Sequence, residues 1–475
     1  MHRLTGWLIV ALVTLVGTAA LPARADEAAI VAGIEAFFKT SAPAERKQIA
    51  ARIQADPAYD RTKVSQWLHR ADLFKPLPSG RQTIGVSLSN GTTRSVVLRI
   101  PKDYDPRRPW PVIYALHGSG GSGDAITAYV EKILGRDVDN YVIAAPTGYG
   151  EPIIHERKWP PVGEHPAVLL KLRQTVHVDA DRVFVLGYSL GGHTTWTLAV
   201  LHADEFAGAV PLAGAFTIIL PDYLWETFLP NIAALPVLCV WGVRDTEFND
   251  GRGNPDGGIA GLNRKLRALA AEHKWPLTAI EDPDKGHGGI IPPADELARL
   301  LSSRRVHFPK TVQHTFRALY QAHAYWLEGQ KWTGGQWTDK QVTIHLREGE
   351  NQSNDADFDQ AAAREYRSLL GELRGEIDGP RLRVHRKHIN ELTVWIGDGM
   401  IDWERPVVLD TGDRRPDFEG KLEPDLLVCL TEAARTWDFD RLRWAGLHIR
   451  SGSKTQPVTG ELEVPQRPEK PVRKR

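Results

Sequence analysis

Short apolar runs alternate with amphipathic stretches through the middle of this chain. Ser95 to Ile100, Val112 to Leu116, Tyr141 to Ala145, Val183 to Leu186, Gly208 to Leu212, Val237 to Trp241 and Leu277 to Ile280 are brief and rich in β-branched residues, so they predict strands. Between them, Gly191 to His202 and Gly261 to Glu272 read as helices, the second with Leu262, Leu266 and Leu269 on one face. Strands that are apolar on both faces must be covered on both sides. The pattern therefore predicts a doubly wound, mostly parallel α/β sheet over residues 81–300.

The flanks follow different periods. In residues 26–80, Ile30, Ile34, Phe37 and Phe38 mark one helical face and Val64, Trp67 and Leu68 another; Lys75-Pro76-Leu77-Pro78-Ser79-Gly80 closes this helical segment. It is expected to pack against the region that follows. Residues 301–340 read as a connecting helical segment. Residues 341–462 read as a small β-rich domain, with strands at Gln341 to His345, Arg381 to His385, Leu392 to Ile396, Met400 to Trp403 and Pro406 to Leu409 and a hairpin turn at Gly397-Asp398-Gly399. One helix, Pro424 to Trp437, interrupts it. The proline-rich basic tail, 463–475, is expected to be disordered.

The ends and the composition narrow the setting. Residues 1–25 have the layout of a cleaved export signal: basic His2 and Arg3, the apolar stretch Trp7 to Val16, and Ala23-Arg24-Ala25 as a small-x-small cleavage site. This predicts an exported chain, periplasmic or extracellular, with no membrane attachment once the signal is removed. Lysine plus arginine and aspartate plus glutamate both number 59 among 475 residues. Such a balance gives no reason to expect nucleic acid or an anionic surface as partner, and points to a neutral small-molecule or polymer-linked substrate. It leaves the oligomeric state open. The two cysteines, Cys239 and Cys429, fall in different predicted domains, so no disulfide framework is expected.

The candidate chemistry lies where the predicted strands end. Arg182 to Leu186 runs directly into Gly187-Tyr188-Ser189-Leu190-Gly191-Gly192 and then a helix. Glycines on both sides of a serine permit the sharp strand-to-helix turn that lifts its hydroxyl into the open, so Ser189 is the candidate nucleophile. Leu116-His117-Gly118-Ser119-Gly120-Gly121 follows an earlier strand, and backbone N–H groups of Ser119 and Leu190 are the candidate oxyanion donors. Downstream, Asp245 follows the strand ending at Trp241, and His287 stands in Asp284-Lys285-Gly286-His287-Gly288-Gly289. In this order they fit an orienting carboxylate and a general base, with Asp250 and Asp256 as the other carboxylates considered. Tyr188, Trp159, Phe216 and Phe248 are candidate substrate walls at the strand ends. Asp355-Ala356-Asp357-Phe358-Asp359 lacks the glycine and closing glutamate of a calcium loop and reads as a solvated acidic loop. No metal or organic cofactor is called for.

On Leu116 to Gly121, on Val178 to Val183 leading into the elbow, and on Asp282-Pro283-Asp284-Lys285-Gly286-His287, residues 85–300 resemble secreted bacterial esterases and prolyl-oligopeptidase-like serine hydrolases of the α/β-hydrolase superfamily. Residues 380–450 resemble the β-rich appendage of some exported bacterial hydrolases. The resemblance implies acyl transfer to Ser189 and hydrolysis of a carboxylic ester. Prolyl oligopeptidases carry a β-propeller, which the roughly 55 residues between the signal and Arg81 are too few to build. Peptidase action is therefore the alternative, and a non-catalytic surface- or polymer-binding protein the second alternative.

Overall fold

A computed structural model describes residues 27–88, 91–148, 164–216, 222–247, 257–334, 342–412 and 415–460. The candidate signal and the basic tail lie outside the described residues. Three helices come first: α1 (Ala28–Lys39), α2 (Pro43–Gln54) and α3 (Val64–Arg70). Eight strands then build one sheet: β1 (Gly80–Ser87), β2 (Thr93–Ile100), β3 (Trp110–Leu116), β4 (Val142–Pro146), β5 (Val178–Tyr188), β6 (Gly208–Leu212), β7 (Val237–Gly242) and β8 (Leu277–Asp282). Their order is β1-β2-β4-β3-β5-β6-β7-β8, with β3 to β8 parallel and β2 antiparallel to both of its neighbours, β1 and β4.

The helices α4 (Gly123–Leu134), α5 (His165–Thr175), α6 (Leu190–Leu201), α7 (Trp225–Phe228), α8 (Gly258–His273) and α9 (Ala294–Leu301) lie between or after these strands. Two separate apolar cores follow from the alternation of side chains on β3 and β5. Val112, Tyr114, Val183 and Val185 pack with Trp196 of α6 and Leu266 of α8, whereas Ile113, Phe184 and Leu186 pack with Ile126 and Val130 of α4 and Leu297 of α9. The central strands are thus buried on both faces, as their unbroken apolar runs require.

After the sheet, the chain forms β9 (Thr311–Phe316), β10 (His323–Ala324), β11 (Leu327–Trp332), α10 (Asp355–Leu369), β12 (Gly371–Asp378), β13 (Arg381–Lys387), β14 (Ile389–Gly397), β15 (Val407–Asp410), β16 (Phe418–Gly420), α11 (Leu426–Thr436), β17 (Arg443–Arg450) and β18 (Gln456–Pro457). They make two five-stranded sheets, β10-β11-β14-β17-β18 and β16-β15-β13-β12-β9, which share a core containing Phe316, Trp326, Leu373, Leu382, Leu392, Val394 and Leu447.

Several expectations from the sequence are corrected here. Residues 301–340 are not a helical connector: β9, β10 and β11 belong to the sandwich. The apolar signal there is broken by buried polar residues, since inward-facing His314 donates from Nε2 to the Gln321 carbonyl at 2.6 Å and Glu328 is buried among arginines. Residues 342–345 form no strand. His345 is held instead against α10, with its Nδ1 3.1 Å from Glu365 and its carbonyl accepting from Arg364. Met400 to Trp403 is turn rather than strand, and Gly397-Asp398-Gly399 therefore closes no hairpin onto it. Asp355 to Asp359 is the first turn of α10, where the Asn354 side chain accepts the Ala356 N–H and the carboxylates meet the positive end of the helix. The N-terminal segment touches the region that follows through His69 and Phe74, which meet His177, but its apolar core is shared with α11: Ile34, Phe37, Trp67 and Leu68 meet Leu426, Cys429 and Leu430.

A buried ionic seam joins the sheet to the sandwich. The Arg305 guanidinium, fully buried, donates to Asp438 at 2.7 and 2.9 Å and reaches Asp181 of β5 at 3.3 Å. Arg441 pairs with Asp204 at 3.0 Å and Arg173 with Glu205 at 2.7 Å. The neighbouring guanidiniums hold the Asp438 carboxyl well below the ordinary carboxylate range against the cost of its burial. Asn231 adds a neutral stitch, donating to the Val200 and Thr315 carbonyls and accepting the Thr315 N–H, each at 2.9 Å.

Arg305→Leu strands Asp438 without its main partner in a dry site, and is expected to cost about 3–5 kcal/mol in urea unfolding. Arg304→Leu, which removes a mostly exposed partner of the same Asp181, should cost under about 1 kcal/mol. Equal losses in the two variants would contradict the assignment of the seam as a stabilising contact.

Candidate active site

The loops that leave β3, β5, β7 and β8 converge at the C-terminal edge of the sheet, where open α/β sheets bind ligands. Ser189 stands between β5 and α6 with φ 56° and ψ −119°, a strained conformation for a residue with a side chain. Its neighbours explain how that conformation is held. A Cβ on Gly187 would lie 2.1 Å from the Gly191 carbonyl oxygen, and one on Gly191 would lie 2.0 Å from the Leu116 carbonyl oxygen. Only glycine lets these backbones approach so closely. The Ser189 N–H donates to the Leu212 carbonyl at 2.9 Å, and its own carbonyl accepts from His193 at 3.0 Å. The turn is thereby tied to β6 on one side and to α6 on the other.

Ser189 Oγ lies 2.8 Å from His287 Nε2, and His287 Nδ1 lies 3.1 and 3.0 Å from the two carboxylate oxygens of Asp245. Asp245 is fully buried, its backbone fixed by bonds to Gly242 and Ala260, whereas the imidazole retains partial exposure. The carboxylate accepts from Nδ1–H, which leaves Nε2 as the acceptor facing the serine hydroxyl. The hydrogen bond to Asp245 raises the His287 pKa above the ordinary histidine value, while burial opposes the rise and Glu247 adds to it. The loops carrying the two residues interlock: Arg244 N–H donates to Lys285 O at 3.1 Å, Val243 N–H donates to Asp282 O at 2.9 Å, and a Cβ on Gly242 would collide with the Gly286 carbonyl at 2.2 Å.

The glycine-rich loop after β3 lies against the nucleophile. A Cβ on Gly118 would come 3.3 Å from Ser189 Cβ. Ser119 is exposed beside it, and Leu190 opens α6, so its backbone N–H belongs to the helix's unpaired first turn. His117 braces the loop, with Nδ1–H donating to Gly118 O at 2.7 Å and Nε2 accepting the Gly148 N–H at 3.2 Å. The serine hydroxyl thus has an acceptor for its proton, and the N–H of Leu190 opens the helix beside it.

The candidate substrate walls fare differently. Phe216 is buried between Trp196 and Trp225, with ring centroids 5.8 and 6.0 Å away, and is core rather than cleft. Tyr188 turns its hydroxyl onto the His287 carbonyl. Trp159 and Phe248, like Asp250 and Asp256, lie outside the described residues. The sequence reading missed Tyr129 of α4, whose hydroxyl donates to the Ile290 carbonyl; a lone helical tyrosine far upstream carries no local signal of that contact. Away from this edge, Asp204, Glu205 and His323 bring ligating atoms within 4.8 Å of one another. Their carboxylates are engaged by Arg441 and Arg173, so the positive charge a metal would supply is already present.

No protein-family profile matches the chain. Over 138 residues it is 30% identical to feruloyl esterase C of Emericella nidulans, covering 28% of this chain and 50% of the fungal protein. Over 136 residues it is 30% identical to a protein of Aspergillus niger described as "Probable feruloyl esterase C", covering 27% of this chain and 49% of that one. The chain spans about half the length of these curated relatives. A solved structure described as a thermostable esterase aligns with TM-score 0.37 and 19% identity over 47% of this chain and 63% of its own. The strand order with its antiparallel strand near one edge and the serine on a strained strand-to-helix turn give residues 80–301 the α/β-hydrolase fold, and part of this chain is similar in sequence to esterases.

Proposed function

We propose that this chain is an exported carboxylic-ester hydrolase that works through an acyl-enzyme on Ser189. The contact that carries the reading is Ser189 Oγ at 2.8 Å from His287 Nε2, with the other ring nitrogen held by buried Asp245. His287 takes the serine proton as Oγ attacks the ester carbonyl, then gives it to the departing alcohol. A water activated by the same imidazole releases the acid. Asp245 fixes the tautomer and stabilises the imidazolium that forms. The Ser119 and Leu190 N–H groups receive the developing oxyanion.

The named activity of the fungal relatives makes an ester of a hydroxycinnamic acid the first substrate to try, free or attached to a polymer. Residues 1–25 support export, and among the described residues no helix is long and apolar enough to cross a membrane.

Ser189→Ala is expected to lower kcat by about three orders of magnitude or more with the urea midpoint unchanged; near-normal turnover would remove the serine from the mechanism. On matched p-nitrophenyl ester and p-nitroanilide substrates, kcat/KM should favour the ester. A preference for the anilide would establish the peptidase reading instead. Because the base must be neutral and its pKa is raised, kcat/KM should fall as pH drops through that value, with an acid-side midpoint above about 6.5. A midpoint well below that value would count against the His287–Asp245 pair as drawn.

A further inference from the structure

Resting on the hydrolase reading above, we propose that Tyr188 and Tyr129 are positioning residues that clamp the loop bearing His287, setting the imidazole between Ser189 and Asp245. The loop needs such a clamp. Gly286, Gly288 and Gly289 surround the histidine, Gly289 has φ +72°, and a Cβ on either Gly288 or Gly289 would meet nothing within 4 Å. Glycine adds conformational freedom here with no side-chain packing to restrain it. At its start, the Lys285 carbonyl accepts the Arg244 N–H, and at its end Ile290 is fully buried. Among the described residues, the ties between these two points are the imidazole's own bonds and the two tyrosine hydroxyls. Tyr188, arriving from the end of β5, donates to the His287 carbonyl; Tyr129, arriving from α4, donates to the Ile290 carbonyl.

The rings support one another. Tyr129 and Tyr188 meet edge to face at 5.2 Å between centroids, and Tyr188 lies 5.9 Å from the imidazole. Burial pushes both phenol pKa values up, so each hydroxyl keeps its proton and stays a donor across the working pH range. Among the described residues, the ionisable groups facing the imidazole are Asp245, Glu247, His193 and Tyr188. His193 is buried, which holds its pKa down at about 3 and leaves it neutral, and the described carboxylates Asp245 and Glu247 raise the His287 pKa.

The contact also redefines the residue before the nucleophile. Tyr188 stands where a substrate wall was expected, yet its hydroxyl is committed to the backbone of the general base. Each side of the clamp is anchored to a separate element: β5 also delivers Ser189, so one strand sets the position of both the nucleophile and its base.

The test removes one hydroxyl at a time while keeping each ring. Tyr188→Phe and Tyr129→Phe are assayed on a p-nitrophenyl ester, with active sites counted by a fluorophosphonate probe, alongside Ser189→Ala and His287→Ala. Each Phe variant should lose about 10-fold in kcat per labelled site with KM within about twofold. The acid limb of kcat/KM should move to lower pH, because an imidazole that spends less time on Asp245 loses the contact that favours its charged form. A loss of fold alone would lower the labelled fraction without moving that limb. Unchanged kcat and acid limb in both Phe variants would overturn the clamp, as would a rise in KM alone, which would return Tyr188 to the substrate wall. Turnover surviving in Ser189→Ala or His287→Ala would instead overturn the hydrolase reading on which the clamp rests.

Discussion

Ser189 is held at a positive φ on the turn between β5 and α6, and the surrounding backbones crowd in to keep it there. The Leu116, Gly191 and Leu212 carbonyls all come close enough that side chains at Gly187, Gly191 and Gly192 would collide with them. Strain of this kind costs on the order of 1–3 kcal/mol and persists only when the neighbours over-determine it. Here the neighbours are β3, β5, β6 and α6, whose apolar faces are buried in the two largest cores of the sheet region. The burial that stabilises the sheet therefore also stabilises the turn, and the turn presents the hydroxyl.

His287 is held by a different means. Its loop is open and glycine-rich, so its position comes from contacts made across the fold: Asp245 on the imidazole, Arg244 at the loop start, and two tyrosine hydroxyls on its backbone carbonyls. In the proposed reaction, a rigid serine and a tethered imidazole suit a histidine that exchanges partners between serine, leaving group and water. The carboxylate is the most buried of the three, which keeps its charge directed at the imidazole rather than screened by solvent.

The sandwich and the N-terminal helices join this arrangement by apolar contacts, with Ala363 and Leu370 in the sheet region's core and Phe74 stacked on His177, and by buried polar ones. Arg305, Asp438, Arg441, Asp204, Arg173 and Glu205 lie at the seam with their charges mutually satisfied. Buried pairs of this sort add little net stability over an apolar seam, but removing one member leaves an uncompensated charge. His69 of α3 makes the third connection, bonding His177 before β5 and Asp440 before β17, each at 2.9 Å. α3 and the segment before β17 thus meet beside the start of β5.

The chain's own pattern was sufficient for the parallel strands, because runs buried on both faces stay apolar at every position. It was also sufficient for Ser189, Asp245 and His287 as candidates, because a turn that only glycine allows and a loop at a strand end leave marks in local sequence. The pattern misled wherever long-range partners carried the burial. Residues 301–340 read as a helical connector, yet His314 and Glu328 are buried on β9 and β11, where the groups that satisfy them come from other parts of the chain. Phe216 read as a cleft wall and is core, because which face it meets depends on Trp196 and Trp225. Tyr188 and Tyr129 show the same division: one is adjacent to the nucleophile and the other sixty residues away, and nothing local distinguishes a tyrosine that touches substrate from one that holds a loop. Local sequence determined the strands, the strained turn and the candidate reactive groups, since those rest on period and on glycine's missing Cβ. Tertiary structure alone decided what each buried polar group pairs with and what holds the base in place, since a hydrogen bond is made by two groups and the sequence lists them without their distance.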